Sequence, residues 1–203
     1  MLRNLILDMG NVMLRFSPDL FIRRLGIVDP EIHNRLRREV FQSLEWSLMD
    51  WGRIDERAAA EAICPRLPLE LRSHAEDLIF RWDQPICPIE GMADLVQDCK
   101  DAGMSVYLLS NASVRLPEYW SRVPGRKMFD GVVYSAALGC VKPMPEIYRH
   151  VLDTYHLRAE ECLFVDDLPM NVAGAVCVGM HGFIFRDNAA ELRKEIIRLG
   201  GNL

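Results

Sequence analysis

The apolar residues of this chain change period twice, and the changes divide it. The run "LILDMGNVML" opens with a continuous apolar segment over about residues 4 to 8, the pattern of a strand buried on both faces of a parallel sheet. It closes on Asp8 and is broken at once by Gly10 and Asn11. From "FSPDLFIRRLG" to "LIFRWDQ" apolar residues recur at helical spacing: Leu20, Phe21 and Leu25, then Ile32, Leu36, Val40 and Phe41, then Ala58, Ala59 and Ala62, then Leu71, Leu78, Ile79 and Trp82. Pro18, Pro30, Pro65 and Pro68 punctuate these segments, which predicts a small helical bundle.

After "QPICPIEG" helix and strand alternate. "PIEGMADLVQDCKDAG" predicts a helix stopped by Gly103, and "MSVYLLS" and "GVVYSAA" predict strands. "PEIYRHVLDTYH" predicts a helix opened by Pro145; the strand "CLFVDD", a helix near 171–178, the strand "HGFIF" and the helix "AAELRKEIIRLGG" follow. This alternation gives an α/β class: a doubly wound, Rossmann-like parallel sheet core with an inserted α-helical block. The expected division is a core of 1–15 and 87–203 and a helical insertion of 16–86. No repeat or low-complexity segment interrupts it.

Composition narrows the function. A chain of 203 residues, half of them hydrophobic, can bury a substantial core. The net charge of −5, with no basic stripe, excludes a nucleic-acid binder from the expectations. The longest charge-free window, Leu168 to Phe185, contains Pro169 and three glycines, which break the continuous run of roughly 18 apolar residues that a membrane span needs. No membrane association and no secretory leader are expected, and the chain is placed in the cytoplasm. Six cysteines without a C-x-x-C pair read as small buried thiols in a reducing compartment, and the histidines lack zinc-ligand spacing.

Candidate chemistry lies at the strand ends, where ligands bind in such sheets. Asp8 closes the first strand, Ser110 and Asn111 close "VYLLSN", and Asp166 and Asp167 close "LFVDD". Lys142, in "GCVKPMPEIY", precedes a helix start, where free backbone amides favour an anion. Carboxylates gathered this closely require a cation, and hard oxygen ligands suit Mg²⁺. Asp8 is then placed to attack a phosphoryl group held by the metal and Lys142, as covalent catalysis allows. Asp166 reads either as a ligand or as a residue that orients ligands, and Asn171 as an orienting amide or a helix cap.

These motifs, in this order along nearly the whole chain, resemble the haloacid dehalogenase superfamily of phosphohydrolases, in the subfamily whose helical cap lies between the first two strands. The opening resembles bacterial members that begin D-x-G-N-V, among them a sugar-phosphate phosphatase. The resemblance implies a Mg²⁺-dependent phosphomonoesterase acting on a small phosphorylated metabolite through an aspartyl-phosphate. It assigns the nucleophile to Asp8, phosphate binding to Ser110, the phosphate-facing lysine to Lys142 and metal binding to Asp166 and Asp167, with Asn171 where many members carry a further acid. It also assigns a metal contact to the Gly10 backbone carbonyl.

One position departs from that pattern. Family phosphatases usually carry an acid two residues after the nucleophile, and here that residue is Gly10. A cap acid is the expected substitute, with Glu45 and Asp50 in "LEWSLMDWGRI" as candidates and Trp46 and Trp51 as possible walls of the substrate mouth. Two other functions fit the same residues. A 2-haloacid dehalogenase also lacks the acid at position 10 but needs no metal pair, and a phospho-ligand binding or regulatory protein would keep the fold without turnover.

Overall fold

The first apolar run forms β1 (Asn4–Leu7), whose four residues are all buried in the computed structural model of residues 1–203. It pairs in parallel with β2 (Ser105–Ser110) on one side and β4 (Cys162–Asp166) on the other. β3 (Gly131–Tyr134) flanks β2 and β5 (His181–Ile184) flanks β4, so the order is β3-β2-β1-β4-β5 with every pair parallel. The chain winds outward from β1 to β3, then crosses back to start again at β4. The reversal lies between β1 and β4, and the crevice beyond their carboxyl ends is where such a sheet binds ligands.

Between β1 and β2 lie α1 (Pro18–Arg24), α2 (Pro30–Leu36), α3 (Leu44–Asp50), α4 (Glu56–Ile63), α5 (Leu69–Arg81) and α6 (Met92–Asp101). Local chemistry sets their starts. Ser17 and Asp29 cap α1 and α2 through side-chain oxygens that accept from Leu20 and from Glu31 and Ile32, with Pro18 and Pro30 in the first turn, where a missing N–H costs nothing. Ser43 and Asp55 cap α3 and α4 in the same way. A wide π-type turn, Arg37–Phe41, continues α2 and brings Phe41 against Trp46, ring centroids 4.7 Å apart. The chain leaves and re-enters the sheet through adjacent segments: Arg15 N donates to Cys87 O at 2.7 Å and Ile89 N to Met13 O at 3.0 Å.

The rest of the chain adds α7 (Leu116–Trp120), α8 (Ser135–Leu138), α9 (Pro145–Thr154), α10 (Pro169–Cys177) and α11 (Ala189–Arg198). Three expectations shift. The helix expected from Pro88 starts only at Met92, because Gly91 sits at φ 76° and cannot be its interior. "GVVYSAA" is strand only to Tyr134 and turns into α8. Cys177 is exposed on the last turn of α10, so not every cysteine is a buried thiol. No helix is long and apolar enough to cross a membrane.

The insertion is held against the core at α8. Trp51 Nε1 donates to the Gly139 carbonyl at 2.8 Å and Arg53 to the same oxygen at 3.3 Å. Gly52, at φ 69°, comes so close that a Cβ there would lie 2.3 Å from Ala136 O. Gly52→Ala is therefore expected to cost about 1–3 kcal/mol, through strained φ and a backbone clash, seen as a lower urea midpoint at unchanged m-value.

Candidate active site

Asp8 follows β1 directly and Asp166 ends β4, so parallel pairing of the two strands sets their carboxylates side by side at the switch point. Lys142 Nζ lies between them, 2.8 Å from Asp8 Oδ1 and 2.6 Å from Asp166 Oδ2, and donates its third hydrogen bond to Leu109 O at 3.0 Å. The lysine side chain is 1% exposed, and that of Asp166 is 0%. Removing Lys142 or Asp166 from so buried a pair strands a charge, at roughly 3–5 kcal/mol. Burial alone would lower the Lys142 pKa, but Asp8 and Asp166 outweigh it and hold the ammonium above the usual lysine value.

The residues around this trio fix its orientation. Asn171 Nδ2 donates to both Asp166 oxygens at 3.1 Å, and Leu168 N donates to Asp166 Oδ1 at 2.9 Å. Asn171 is thus an orienting amide and not a cap. With both oxygens engaged, Asp166 anchors Lys142, while Asp8 and Asp167 line the open cavity. The Asn111 side chain braces the backbone of Lys142, accepting from its N–H at 2.8 Å and donating to its carbonyl at 3.1 Å. Ser110 also lines the cavity, with only a 3.5 Å contact to Asn111 O for its hydroxyl. Asn11, which the sequence did not single out, sits at φ 54° and donates to Asp167 Oδ2 at 3.1 Å while accepting from Phe16 N at 3.0 Å. Its short polar side chain is what makes the left-handed backbone tolerable there.

The acid set fits a divalent cation. Asp8, Asp166 and Asp167 each offer an oxygen within 4.8 Å of the others, near the roughly 4 Å that spans an octahedral Mg²⁺. Without a cation the acids are uncomfortable. Burial pushes Asp8 up to about 7 against the pull of Lys142, and burial likewise raises Asp167 despite the Asn11 hydrogen bond.

Above the acids lies a cavity of about 310 Å³. Trp46, Met49 and Asp50 face it from α3 at i, i+3 and i+4, one side of the helix. Phe16, Ile79, Trp82 and Tyr119 supply further wall, and Glu56, buried, is hydrogen-bonded by the Ser113 hydroxyl. Burial, then the charges of Asp8 and Glu56, raise Asp50 to about 7. Glu45 is not in the cavity. It pairs with both terminal nitrogens of Arg66 at 2.8 and 2.9 Å, which holds its carboxyl down at about 2 and makes it a poor proton donor. Trp51 is likewise no wall residue, because its indole is tied to Gly139 O.

The family profile for haloacid dehalogenase-like hydrolases matches residues 3–179. The chain belongs to that family. It is 29% identical over 198 residues to a sesquiterpene phosphatase of Aspergillus oryzae, covering 93% of this chain and 94% of that protein. A phosphatase of Mycobacterium tuberculosis is 28% identical over 135 residues, 64% of this chain and 61% of its own length. Among solved structures, a haloacid dehalogenase family enzyme of Bacteroides thetaiotaomicron in complex with magnesium and inorganic phosphate has a TM-score of 0.69 at 17% identity, covering 95% of this chain and 99% of that one. The chain is a haloacid dehalogenase-like hydrolase whose relatives include phosphatases.

Within this family frame, Gly10 is a chemical choice and not a steric one. A Cβ added there meets only the Phe16 Cβ, at 3.5 Å, and Gly10 is not among the glycines with positive φ. Of the polar wall residues, Glu56 and Ser113 escaped the sequence because their pairing joins α4 to the loop after β2, 57 positions apart, and no local pattern announces it.

Proposed function

We propose that the chain is a Mg²⁺-dependent phosphomonoesterase acting on a small phosphorylated metabolite, with residues 16–86 as a cap over a core of 1–15 and 87–203. The observation that carries this reading is the gathering of Asp8, Asp166 and Asp167, each with an oxygen within 4.8 Å of the others, around the Lys142 ammonium that bridges Asp8 and Asp166. Asp8 Oδ attacks phosphorus, the bond from phosphorus to the leaving oxygen breaks, and the phosphoryl group passes to Asp8. Lys142 steadies the Asp8 carboxylate and the charge that grows on the phosphoryl oxygens, and the Ser110 hydroxyl donates to one of them. Asp50, held near 7, gives its proton to the leaving alcohol and then takes one from the water that opens the acyl phosphate. Bound at Asp8, Asp167 and the Gly10 carbonyl, Mg²⁺ would supply Lewis-acid charge compensation for the phosphoryl oxygens. Free cysteines throughout the chain agree with a cytoplasmic setting.

The haloacid reading finds less support. Its chemistry needs no metal, yet Asp8, Asp166 and Asp167 each offer an oxygen within 4.8 Å of the others beside the cavity.

The test is inorganic phosphate release from a panel of phosphomonoesters with Mg²⁺ and with chelator. Release that requires Mg²⁺ is expected; turnover indifferent to chelator overturns the reading. Mg²⁺ should also raise the melting temperature, by about 5–10 °C at a hundredfold excess over Kd, because it binds the folded state alone. That rise should be larger at pH 8 than at pH 6, since below about 7 the cation must displace a proton from Asp8.

A further inference from the structure

Resting on the phosphomonoesterase reading, we propose that the alcohol half of the substrate is apolar: the cavity takes the monophosphate of a hydrophobic, aliphatic alcohol and not a sugar phosphate. The polar groups of the cavity are unevenly placed. Asp8, Asn11, Ser110, Lys142, Asp167 and Asn171 crowd the floor at the strand ends, where the phosphoryl group reacts. The walls above it are Phe16, Trp46, Met49, Ile79, Trp82 and Tyr119.

These wall residues form one continuous apolar surface. Phe16 stands 5.9 Å from Trp46 and 5.1 Å from Trp82, and Trp82 stands 5.1 Å from Tyr119, measured between ring centroids. Phe21 and Phe41 back the same cluster from behind. Phe16 meets Trp82, and Trp82 meets Tyr119, edge to face, while Phe16 and Trp46 are tilted by 49°, so these rings pack against one another without a ligand.

Of the wall's polar side-chain groups, Glu56 and Ser113 are joined to each other, which leaves the Asp50 carboxyl, the Tyr119 hydroxyl and the indole N–H groups of Trp46 and Trp82, the last three on otherwise apolar rings. The ring of hydroxyls on a hexose phosphate would find few partners here. Each one buried without a hydrogen bond weakens binding by about 5- to 150-fold. A methylene chain loses nothing and gains contact. The two acids set beside the apolar wall, Asp50 and Glu56, and the lack of a second lining cation also disfavour a substrate with a further phosphate or a carboxylate, hence a monophosphate.

The experiment compares the straight-chain series from ethyl to octyl phosphate with glucose 6-phosphate, using the full chain with Mg²⁺. In parallel, the matching alkyl phosphonates, which cannot be hydrolysed, are titrated by tryptophan fluorescence. We expect kcat/KM to rise about fourfold per added methylene over the first members, from about 0.8 kcal/mol per buried CH₂, and glucose 6-phosphate to fall below butyl phosphate. Trp46→Ala should flatten the rise. Hydrolysis that is independent of chain length, or best with glucose 6-phosphate, overturns the apolar-alcohol inference and leaves the phosphatase reading intact. Phosphonates that bind tighter with length while no ester is turned over sustain the inference and defeat the phosphatase reading.

Discussion

Asp8→Asn is expected to reduce phosphate release by at least about 10⁴-fold at saturating substrate, because the amide oxygen cannot form the acyl phosphate. Folding is not expected to suffer. The amide oxygen introduced at this position can still accept from Lys142, and the variant removes a carboxylate that burial holds at about 7. The sign follows from linkage. A raised carboxyl pKa means that the folded state prefers the protonated acid, so the ionised form costs stability as pH climbs from about 4 to 7 and the full cost stands above 7. In metal-free buffer Asp8→Asn should therefore melt above the wild type at pH 8, with the gap closing toward pH 4. A calorimetric scan across pH beside a phosphate assay separates this outcome from misfolding; an inactive variant that is also unstable at pH 8 would speak against the role of Asp8.

The second large effect concerns the proton. Asp50→Asn is expected to lower kcat by about 10²- to 10⁴-fold, the usual worth of general acid–base help, with a smaller change for esters whose leaving group needs no proton, such as p-nitrophenyl phosphate. Because a side chain fits at position 10, Gly10→Asp in the Asp50→Asn background should recover a substantial part of the loss with alkyl esters. Pre-steady-state kinetics will place the recovery in the step that releases the alcohol. Failure of the double variant to exceed Asp50→Asn, with both folded, would mean that the proton comes from elsewhere.

The floor of this site was legible in the sequence for a physical reason. A strand buried on both faces shows as an unbroken apolar run, and the residue that breaks the run lies at the sheet edge; Asp8, Ser110 and Asp166 were found that way. Lys142 was placed by its position ahead of α9, and the structure brings its ammonium to both Asp8 and Asp166. The wall was less legible. Glu45 and Asp50 were indistinguishable as acids, but five residues of helix turn them about 140° apart, so at most one faces a given cavity. Choosing between them required Arg66, which draws Glu45 to the outside across 21 residues of sequence. Trp51 looked like a wall residue for the same reason, until its indole found the Gly139 carbonyl. α7 has only five residues and no full amphipathic repeat, which is why Tyr119 went unnoticed.

The single face of α3 that carries Trp46, Met49 and Asp50 joins two tasks in one rigid rod. A substrate that seats poorly against the indole also misaligns the carboxyl, so discrimination will register in turnover as much as in affinity. Substitutions confined to this rod can retune which esters are accepted while β1 and β4 stay as they are. Diversification of such a hydrolase has a ready route there, seven residues long and separate from the strands that hold the acids.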